Sequence, residues 1–369
     1  MIITALEWTH CRNLVGGRMK PDSGVNIICG DNAQGKTNLL ELMWIYTGGR
    51  SFRGARDAEL IGLDSPRAES RMNFSAGGRD QSAQIELYDG RRHCMLNEIP
   101  KKSAAGMVGG FCAVIFAPVH LSLVKDGPAE RRRFLDAAIC QTRPAYAALL
   151  ARYHRTVEQR NAVLKDYDRH PALRDTLPEW DKQTAQLAAA VTAERLRYLR
   201  KLQPAAEETY FGISSSRERL TLTYRCAEGL TPSDDPNELT ERMRGALMQS
   251  LSVDRHVGFT TVGPHRDDFS IDINGLSARS YGSQGQQRSA VLALKLGEAA
   301  VLADAIGEPP VILLDDVLSE LDSARQDYLL NRMAGRQVFI TCCEPTPVLR
   351  LRGGRVFRME RGILTPMTD

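Results

Sequence analysis

The chain has 369 residues, of which 48 are Lys or Arg and 45 are Asp or Glu, and its formal net charge is +3. This near balance excludes binding to nucleic acid through overall charge, so any such binding must come from local basic patches. The hydrophobic content of 43% and the charged content of 25% exclude disordered, collagen-like and coiled-coil proteins and are typical of globular ones. The length predicts about two or three domains.

Eight cysteines are scattered without a Cys-x-x-Cys pair, and the adjacent Cys342 and Cys343 cannot form an ordinary disulfide. We therefore interpret the cysteines as reduced thiols. Residues Met1 to Arg12 lack the basic and apolar regions of a signal peptide, and no segment approaches the roughly 18 apolar residues of a membrane span. These features predict a cytoplasmic protein without membrane contacts.

The first third of the chain has an α/β pattern. Apolar runs at Val25–Cys29 and Cys112–Phe116 predict strands between glycine-rich turns. The segments Gln84–Tyr88 and Arg92–Leu96 flank Asp89-Gly90, a dipeptide typical of tight turns, so they predict an antiparallel hairpin.

From about Pro128 the sequence becomes rich in Ala, Leu and Arg at helical spacing. Two helices are predicted at Pro144–Tyr167 and Gln183–Gln203, with a break between them at Pro171–Pro178. We expect these helices to form an antiparallel pair with arms of about 30 Å. The polar segment Glu228–Asn237 predicts a surface loop.

After this loop the α/β pattern returns. The sequence predicts a strand at Phe269–Ile273, a turn at Asn274-Gly275, a long helix over Gly285–Ala305 and a buried strand at Val311–Leu314.

The segment Gly30–Thr37 carries the strongest motif. It matches G-x-x-x-x-G-K-[ST] and lies between a predicted strand and a helix predicted at Asn38–Tyr46. In such a loop, backbone N–H groups bind phosphates, the lysine reaches the β- and γ-phosphates, and the threonine hydroxyl ligates Mg²⁺. The alternative, an ordinary glycine-rich turn, is disfavoured by the strand–loop–helix context. The candidate ATP ligands are Gly30, Asp31, Asn32, Ala33, Gln34, Gly35, Lys36 and Thr37, and Lys36 is also a candidate catalytic residue.

The strand at Val311–Leu314 is followed by Asp315 and Asp316. If this strand is parallel to the one before the phosphate loop, Asp315 lies beside the metal with Thr37, and Asp316 lies beside the attacking water. On its own, an Asp-Asp pair after a strand is equally typical of a surface turn. In combination with the phosphate loop it predicts a Mg²⁺ site, with Asp316 as a catalytic residue.

The segment Tyr281–Arg288 opens the long predicted helix and resembles the signature motif of ABC-type ATPases. In that superfamily this helix completes the nucleotide site of the opposite subunit. Ser283, Gly285 and Gln286 are therefore candidate ligands of an ATP molecule held by a second copy. The alternative for Ser283 is a simple helix N-cap. Ser319–Asp322 resembles the D-loop of the same superfamily, and the alternative for Ser319 is again a helix N-cap.

The switch histidine that is usual in ABC-type ATPases should follow the strand predicted at Gln337–Ile340. The sequence there is Thr341-Cys342-Cys343, which contains no histidine. Thr341 can donate a hydrogen bond to a γ-phosphate or to water, but it supplies no imidazole. This departure favours slow hydrolysis that works as a switch over a transporter-type motor.

Motifs beyond the phosphate loop resemble those of the RecF family of recombination mediators, which are SMC-like members of the ABC-type ATPases. The similarity extends from Arg12-Asn13 to Thr341, and the Asp315-Asp316 pair and the missing histidine agree with it. Phe52 departs from the family pattern, which has a histidine there, and receives no role. The segments that carry the resemblance are Ser51–Arg53, Arg56-Asp57, Glu59–Ile61, Phe116–Pro118, His120–Lys125, Arg131–Asp136, Thr260–Asp268 and Ser283–Arg288.

The resemblance implies an α/β fold: an ABC-type P-loop ATPase head of the RecF and SMC kind with an inserted, mainly helical lobe. Residues 1–125, with the phosphate loop, and 259–369, with the signature helix and D-loop, would form the head, and residues 126–258 the lobe. The implied function is an ATP- and Mg²⁺-dependent homodimer that binds DNA at gaps and at junctions of single and double strands. RecR and RecO, and indirectly RecA, are the implied partners in replication, recombinational repair and SOS induction, with weak, regulatory ATP hydrolysis.

Local basic clusters are the candidate DNA contacts, because Lys and Arg neutralise phosphates and release counterions. Such clusters are also typical of a solvated surface, and Arg131–Arg133 can instead brace a lobe interface. The segment His265–Asp268 lacks a second His or Cys at zinc-ligand spacing and is interpreted as structural or nucleotide-sensing. The clusters are Arg91-Arg92, Lys101-Lys102, Arg131-Arg132-Arg133, and Arg350, Arg352, Arg355 and Arg358 near the C-terminus.

Three rival functions are weighed against this one. A transporter ATPase subunit normally carries the switch histidine, and a chromosome-organising SMC protein needs arms of hundreds of residues; either type with another cargo is the alternative. A small-molecule P-loop kinase binds ATP as a monomer and leaves the Ser283 motif unexplained. Sedimentation with and without ATP separates a kinase from an ATP-sandwich dimer.

Overall fold

A computed structural model describes residues 1–167, 169–226, 235–344 and 354–367 of the chain. The chain alternates strands and helices in its first and last parts and is mainly helical between them. The strands are β1 (Ile2–Cys11), β2 (Leu14–Met19), β3 (Val25–Cys29), β4 (Ala68–Ala76), β5 (Arg79–Tyr88), β6 (Arg91–Leu96), β7 (Ile99–Lys101), β8 (Ala113–Phe116), β9 (Leu220–Arg225), β10 (Asp268–Ile273), β11 (Leu276–Ser277), β12 (Val311–Asp315), β13 (Val338–Cys342), β14 (Arg355–Glu360) and β15 (Ile363–Pro366). The α-helices are α1 (Lys36–Trp44), α2 (Ser122–Lys125), α3 (Pro128–Thr142), α4 (Ala145–Lys165), α5 (Pro171–Arg174), α6 (Leu177–Ile213), α7 (Pro236–Gln249), α8 (Leu251–Val257), α9 (Ala278–Tyr281), α10 (Gln284–Ile306) and α11 (Ser323–Arg332).

The chain forms two compact units, and both are discontinuous in sequence. Unit 1 comprises Met1–Leu121, Glu208–Arg217 and Val291–Asp369, and unit 2 comprises Ser122–Glu207 and Glu218–Ala290. The predicted division at residue 258 differs from this, because residues 259–290 belong to unit 2. The physical reason is strand pairing, since β10 forms hydrogen bonds with β9 of the same unit.

The main sheet of unit 1 has six strands in the order β15-β14-β3-β13-β12-β8. All neighbouring strands in it are parallel except β14 and β15. The predicted strands Val25–Cys29 and Val311–Leu314 are confirmed and parallel, with β13 between them. Their carboxyl ends therefore meet at one edge of the sheet, next to the loop that follows β3.

This sheet is buried on both faces. Ile28 and Leu313 pack into a core that also contains Leu39 of α1, whereas Ile27 and Leu314 belong to a second core on the opposite face. Burial on both faces explains why these strands read as uninterrupted apolar runs in the sequence. Each fully buried aliphatic side chain contributes about 1.5–3 kcal/mol, so these two cores hold the strand register firmly.

A second sheet of unit 1 has the order β2-β1-β4-β5-β6-β7 and is antiparallel throughout. The predicted hairpin is confirmed as β5 and β6. Its turn residues Asp89 and Gly90 have φ angles of 52° and 69°, as expected for a two-residue turn of type I′.

Helix α4 and the part of α6 that lies in unit 2, residues 177–207, form the predicted antiparallel pair. Arg143, just before α4, contacts Glu194 at 2.8 Å, whereas Arg160 near the end of α4 contacts Asp181 at 2.7 Å, so the partner numbers fall as α4 advances. The predicted length holds for α4 but is wrong for α6, which has 37 residues and spans about 55 Å.

Helix α6 is longer than predicted because two prolines do not interrupt it. Pro178 lies in the first turn, where a helix needs no N–H donor, and the helix continues through Pro204 in its interior. Of the predicted loop Glu228–Asn237, residues 228–234 lie outside the described residues, and Pro236 and Asn237 already belong to α7. No helix in the described ranges combines the length and the apolar character needed to cross a lipid bilayer.

Arg160 on α4 is fully buried and joins three segments of unit 2. Its Nε donates to Asp181 Oδ1 at 2.7 Å, and its Nη1 donates to Asp254 Oδ2 at 2.7 Å and to Thr260 Oγ1 at 2.9 Å. Asp254 is fully buried as well and accepts the N–H of Thr261 at 2.9 Å. Because Asp254 is fully buried, removing Arg160 would leave its carboxylate without a cation, whereas Arg160 would keep Asp181 if Asp254 were removed.

Replacing Arg160 by Met should lower the free energy of unfolding by about 3–5 kcal/mol, because Asp254 would remain buried without its cation. Urea unfolding followed by circular dichroism measures this loss. Arg155→Met is the matched control, since Arg155 is exposed on the same helix. Equal unfolding midpoints for the two variants would contradict a stabilising role of the buried network.

Candidate nucleotide site and basic surface

The phosphate loop, Gly30–Thr37, connects β3 to α1. Gly30 and Gly35 have φ angles of 152° and 113°, in the region that favours glycine. A Cβ atom on Gly30 would overlap the carbonyl oxygen of Met359, and one on Gly35 would lie 2.9 Å from Asn13 Oδ1. The two glycines of the motif are therefore required by the backbone conformation and by close packing.

Neighbouring segments brace this loop. Asn13 Nδ2 donates to the carbonyl of Ala33 at 3.1 Å, and the N–H of Gly362 donates to the carbonyl of Gln34 at 3.0 Å. The Gln34 side chain accepts the N–H of Arg361 at 2.6 Å. The loop is therefore held in shape by the protein's own contacts, which leaves less conformational entropy to be lost when a ligand binds.

Lys36 is the first residue of α1 and is nearly buried. Its Nζ donates to the carbonyl oxygens of Gly30 at 2.5 Å and Asp31 at 2.8 Å. The ammonium group therefore lies over the loop rather than in solvent. From this position it can reach the oxygens of phosphates bound by the loop.

Thr37 and Asp315 meet where β3 and β12 end. Thr37 Oγ1 donates to Asp315 Oδ1 at 2.8 Å, and Thr341 Oγ1 donates to the same oxygen at 2.9 Å. Burial raises the pKa of Asp315 above its usual value, and the charge of Asp316 adds to this, whereas the two hydroxyl hydrogen bonds oppose it. A divalent cation at this carboxylate would offset the desolvation, and a hydroxyl with a carboxylate is a ligand set that suits Mg²⁺.

Asp316 follows directly and has a left-handed backbone, with φ of 51°. Its N–H donates to Thr341 Oγ1 at 2.9 Å, and its carboxylate accepts the hydroxyl of Ser319 at 3.0 Å. The Thr341 hydroxyl, a possible donor to a γ-phosphate or to water, is buried between the two aspartates, where it fixes the position of both. The N-cap alternative for Ser319 is wrong, because the residue that caps α11 is Asp322, which accepts the N–H of Arg325, whereas the Ser319 hydroxyl donates to Asp316.

Glu41, a buried carboxylate one turn after Thr37 on α1, was not predicted as part of the site. It accepts Arg12 Nε at 2.5 Å and Nη2 at 3.1 Å, accepts the Ser51 hydroxyl, and lies 3.8 Å from Arg53 Nη1. In the sequence, Glu41 is recognisable as the one acidic residue within the apolar run Leu39–Trp44. Such a residue is rarely buried without cationic partners, which here are Arg12 and Arg53.

The signature residues Ser283, Gly285 and Gln286 lie at the N-terminus of α10 in unit 2. Ser283 is exposed, and its Oγ accepts the N–H of Gln286 at 3.2 Å. The Gln286 side chain in turn accepts the N–H of Ser283 at 2.8 Å, which completes a capping box. The N-cap alternative for Ser283 therefore describes its local structure, and its exposure leaves it accessible to a ligand.

The predicted DNA contacts separate into exposed and buried residues. Arg91, Lys102 and Arg133 are exposed and Lys101 is half-buried. Arg355 donates to the carbonyl of Lys20, Arg358 lies 3.8 Å from Glu360, and Arg350 and Arg352 lie outside the described residues.

Three arginines of the predicted DNA clusters serve the interior of their own units instead. Arg92 is buried and donates to Asp57 at 2.6 Å and to the Gly49 carbonyl at 2.9 Å. Arg131 is buried and donates to Asp268 from Nε at 2.7 Å and from Nη2 at 2.8 Å, and Arg132 donates to the carbonyl of Asp267. The prediction of DNA contact for them is corrected, because these hydrogen bonds direct the guanidinium groups toward acceptors within the protein.

Comparison with known proteins agrees with this geometry. No family model matches the chain. The DNA replication and repair protein RecF of Ruminiclostridium cellulolyticum is 39% identical over 344 residues, which cover 93% of this chain and 92% of that protein. A solved structure of the recombination mediator protein RecF with ATP, in the RecFOR pathway, is 35% identical with a TM-score of 0.93 and covers 100% of this chain and 98% of that one. The Smc head domain of Pyrococcus furiosus, with an extended coiled coil and bound to the C-terminal domain of ScpA, is 15% identical with a TM-score of 0.55, covers 99% of this chain and 96% of that one, and shows the fold alone.

The fold and the phosphate loop together define an ABC-type ATPase head of the kind found in RecF and SMC proteins. The chain belongs to the RecF family of DNA replication and repair proteins. The resemblance inferred from the motifs and the predicted α/β head fold are therefore confirmed.

Replacing Asp315 by Asn should raise the thermal midpoint of the nucleotide-free protein at pH 7. An acid whose pKa is higher in the folded state than in the unfolded state loses stability as the pH rises through the interval between the two values. The variant does not ionise at this position, so its thermal midpoint should rise by about 2–4 °C for each kcal/mol of unfolding free energy regained. Above about pH 4 its stability should also depend less on pH. Calorimetry at several pH values measures both effects, with the exposed Asp327→Asn as control. An unchanged midpoint for Asp315→Asn would contradict the desolvation of this carboxylate.

Proposed function

We propose that the chain is a cytoplasmic, ATP-dependent DNA clamp. Two copies would close over ATP and hold DNA at gaps and at junctions of single and double strands. With RecO and RecR it would promote RecA loading, recombinational repair and SOS induction. The observation that carries the nucleotide part of the proposal is the 2.8 Å contact between Thr37 Oγ1 and Asp315 Oδ1, beside Lys36 at the same sheet edge. The relative solved with ATP supports the same ligand.

We assign the triphosphate to Gly30–Thr37, with its N–H groups and Lys36 neutralising phosphate charge. Thr37 and Asp315 would hold Mg²⁺, because their oxygens are adjacent and desolvation of Asp315 favours a cation beside it. When bound, the metal would neutralise charge on the phosphate oxygens. Asp316 would orient or activate the attacking water, with its backbone fixed by Thr341 and its carboxylate by Ser319.

Hydrolysis is proposed to be slow and regulatory. The residue after Thr341 is Cys342 rather than a histidine, and the Thr341 hydroxyl is committed to Asp315 and to the N–H of Asp316. A site with one carboxylate near the water and no imidazole has fewer groups to manage proton transfer. The nucleotide would therefore act mainly as a switch, in which binding closes the dimer and hydrolysis opens it.

The second half of each nucleotide site is proposed to come from the other copy. Ser283 is exposed at the N-terminus of a 23-residue helix, a position that suits an anionic ligand. Ser283 and Gly285 would contact the γ-phosphate held by the phosphate loop of the partner, and Gln286 at the same helix end would hold Ser283 in place rather than touch the phosphate. ATP would then hold two copies together in a closed, symmetric dimer.

DNA binding is proposed to depend on the exposed residues Arg91, Lys102 and Arg133 and on the half-buried Lys101, which support contacts to phosphate without sequence preference. Arg92, Arg131 and Arg132 are left out of this set because their guanidinium groups are bound inside the protein.

Lys36→Ala should abolish ATP binding, because the loop then lacks the cation that neutralises the phosphates. Ser283→Arg should keep ATP binding but prevent dimerisation, because a long cationic side chain fills the position of the γ-phosphate. Equilibrium binding of a fluorescent ATP analogue and sedimentation with a non-hydrolysable analogue measure the two effects.

Lys20→Ala and Ser103→Arg are matched controls at exposed positions and should behave as the unmodified protein. Normal dimerisation of Ser283→Arg would refute the sandwich model while leaving nucleotide binding untouched.

DNA affinity should fall steeply with salt, because each phosphate contact releases counterions, and should vary little with sequence. Exchanging both Lys101 and Lys102 for Ala should reduce the slope of log K against log salt by about 0.7 per lost contact on single strands. Fluorescence anisotropy on gapped, single-stranded and duplex DNA measures this, with Arg56→Ala as control. A slope that stays the same in the double variant would exclude these lysines, and salt-independent binding would contradict phosphate contact altogether.

A further inference from the structure

The capping box at the start of α10 determines which hydrogen-bond donors of Ser283 and its neighbours can bind a ligand. Its Oγ accepts the N–H of Gln286, so the hydroxyl hydrogen remains to be donated to another group. Its backbone N–H is held by Gln286 Oε1 at 2.8 Å. The N–H groups of Gln284 and Gly285 have no intrahelical acceptor by helix geometry. The exposed end of the helix therefore presents a set of donors whose orientation is set by the Gln286 side chain.

The Gln286 amide is oriented from outside its own helix. Its Nε2 donates to Glu218 Oε1 at 2.7 Å. If the amide were flipped, its oxygen would face the carboxylate and its NH₂ would face the N–H of Ser283, and both contacts would be repulsive. Glu218 therefore selects the amide orientation that keeps the capping box closed.

The backbone next to Glu218 is itself fixed. The N–H of Arg219 donates to Asn274 Oδ1 at 2.9 Å, and the N–H of Asn274 donates to the carbonyl of Arg219 at 2.9 Å. Asn274 is the first residue of the turn between β10 and β11 and has φ of 50°. The carboxylate thus comes from a segment tied to the small sheet of unit 2 and not from a loose loop.

We infer that Glu218 is a positioning residue for the signature serine: through Gln286 it holds Ser283 ready to donate to a phosphate oxygen of the nucleotide on a second copy. This inference rests on the proposed ATP-sandwich dimer. Glu218 touches no nucleotide in this scheme. It acts by keeping a donor set in one arrangement, so that less conformational freedom is lost when the dimer closes.

Paired variants at these positions test the inference. Glu218→Ala should weaken dimerisation with a non-hydrolysable ATP analogue by about tenfold, the loss expected for a hydrogen bond to a charged group. Glu218→Gln keeps an acceptor oxygen and should stay within about twofold of the unmodified protein. Gln286→Glu places two carboxylates together and should weaken dimerisation at least as much as Glu218→Ala.

The double variant Glu218→Gln with Gln286→Glu is the decisive one. It restores the contact with donor and acceptor exchanged and keeps a Ser-x-x-Glu capping box, so its dimerisation should recover to within about threefold. Sedimentation velocity gives the dimer constants, and a fluorescent ATP analogue reports binding to the single copy, which should be equal in all variants. Glu241→Ala, at an exposed carboxylate of α7, is the matched control.

The outcomes separate this inference from the proposed function. If the unmodified protein dimerises and Ser283→Arg does not, but Glu218→Ala behaves like Glu241→Ala, the positioning role is refuted and the sandwich stands. A double variant no better than Gln286→Glu refutes it as well, even if Glu218→Ala proves too unstable to measure. If the unmodified protein does not dimerise with nucleotide, the proposed function fails and the inference fails with it.

Discussion

The parallel pairing of β3 with β13 and of β13 with β12 is the constraint on which the nucleotide site depends. It brings Thr37 and Asp315, 278 residues apart in sequence, within 2.8 Å. Side chains alternate between the faces of a strand, so a slip of β12 by one residue would exchange the environments of Asp315 and Leu314. Such a slip is prevented by the two apolar cores rather than by the polar residues. The site is therefore precise because the strands around it are packed on both faces.

Polar groups of the site are satisfied by the protein itself. Lys36 is held by loop carbonyls and Thr37 by Asp315. This arrangement avoids unpaired polar groups in a partly buried region, each of which would cost about 1–3 kcal/mol. A nucleotide must replace these contacts with its own, and a triphosphate can do so because charge-assisted hydrogen bonds are about twice as strong as neutral ones. A neutral ligand would gain little by the same exchange.

Features with a local sequence signature could be predicted from the sequence, whereas features that depend on contacts between distant segments could not. The phosphate loop and the strands of the main sheet have local signatures, glycines at strained positions and unbroken apolar runs, and were predicted. The full length of α6 was not, because Pro171–Pro178 was interpreted as a break and the helix was predicted to end at Gln203, whereas tertiary packing carries it through both Pro178 and Pro204. The partners of Glu41 and Thr341 come from distant segments, so their roles required the fold.

The sequence pattern around the arginine clusters already indicates which of these arginines are buried. Arg91 and Arg92 are neighbours on β6, and the period of two in a strand puts one on each face. With the hairpin already predicted, alternation with the buried Cys94 indicates that Arg92 faces inward. A basic pair on a strand is thus at most one surface charge. In Arg131–Arg133, at helical spacing, one residue again faces the core.

Because three of the predicted DNA-contacting arginines are bound inside the protein, fewer basic residues are available to bind DNA. A chain with a net charge of +3 attracts DNA weakly, and charges act over about 8 Å at physiological salt. With Arg92, Arg131 and Arg132 bound inside the protein, a single copy would offer DNA four residues of the predicted clusters, Arg91, Lys101, Lys102 and Arg133. In the proposed dimer the number of contacts Z doubles, and because the electrostatic part of log K is proportional to Z, affinity would rise by far more than twofold. Nucleotide binding and DNA binding would then be coupled through dimerisation alone, without any change of conformation within a copy.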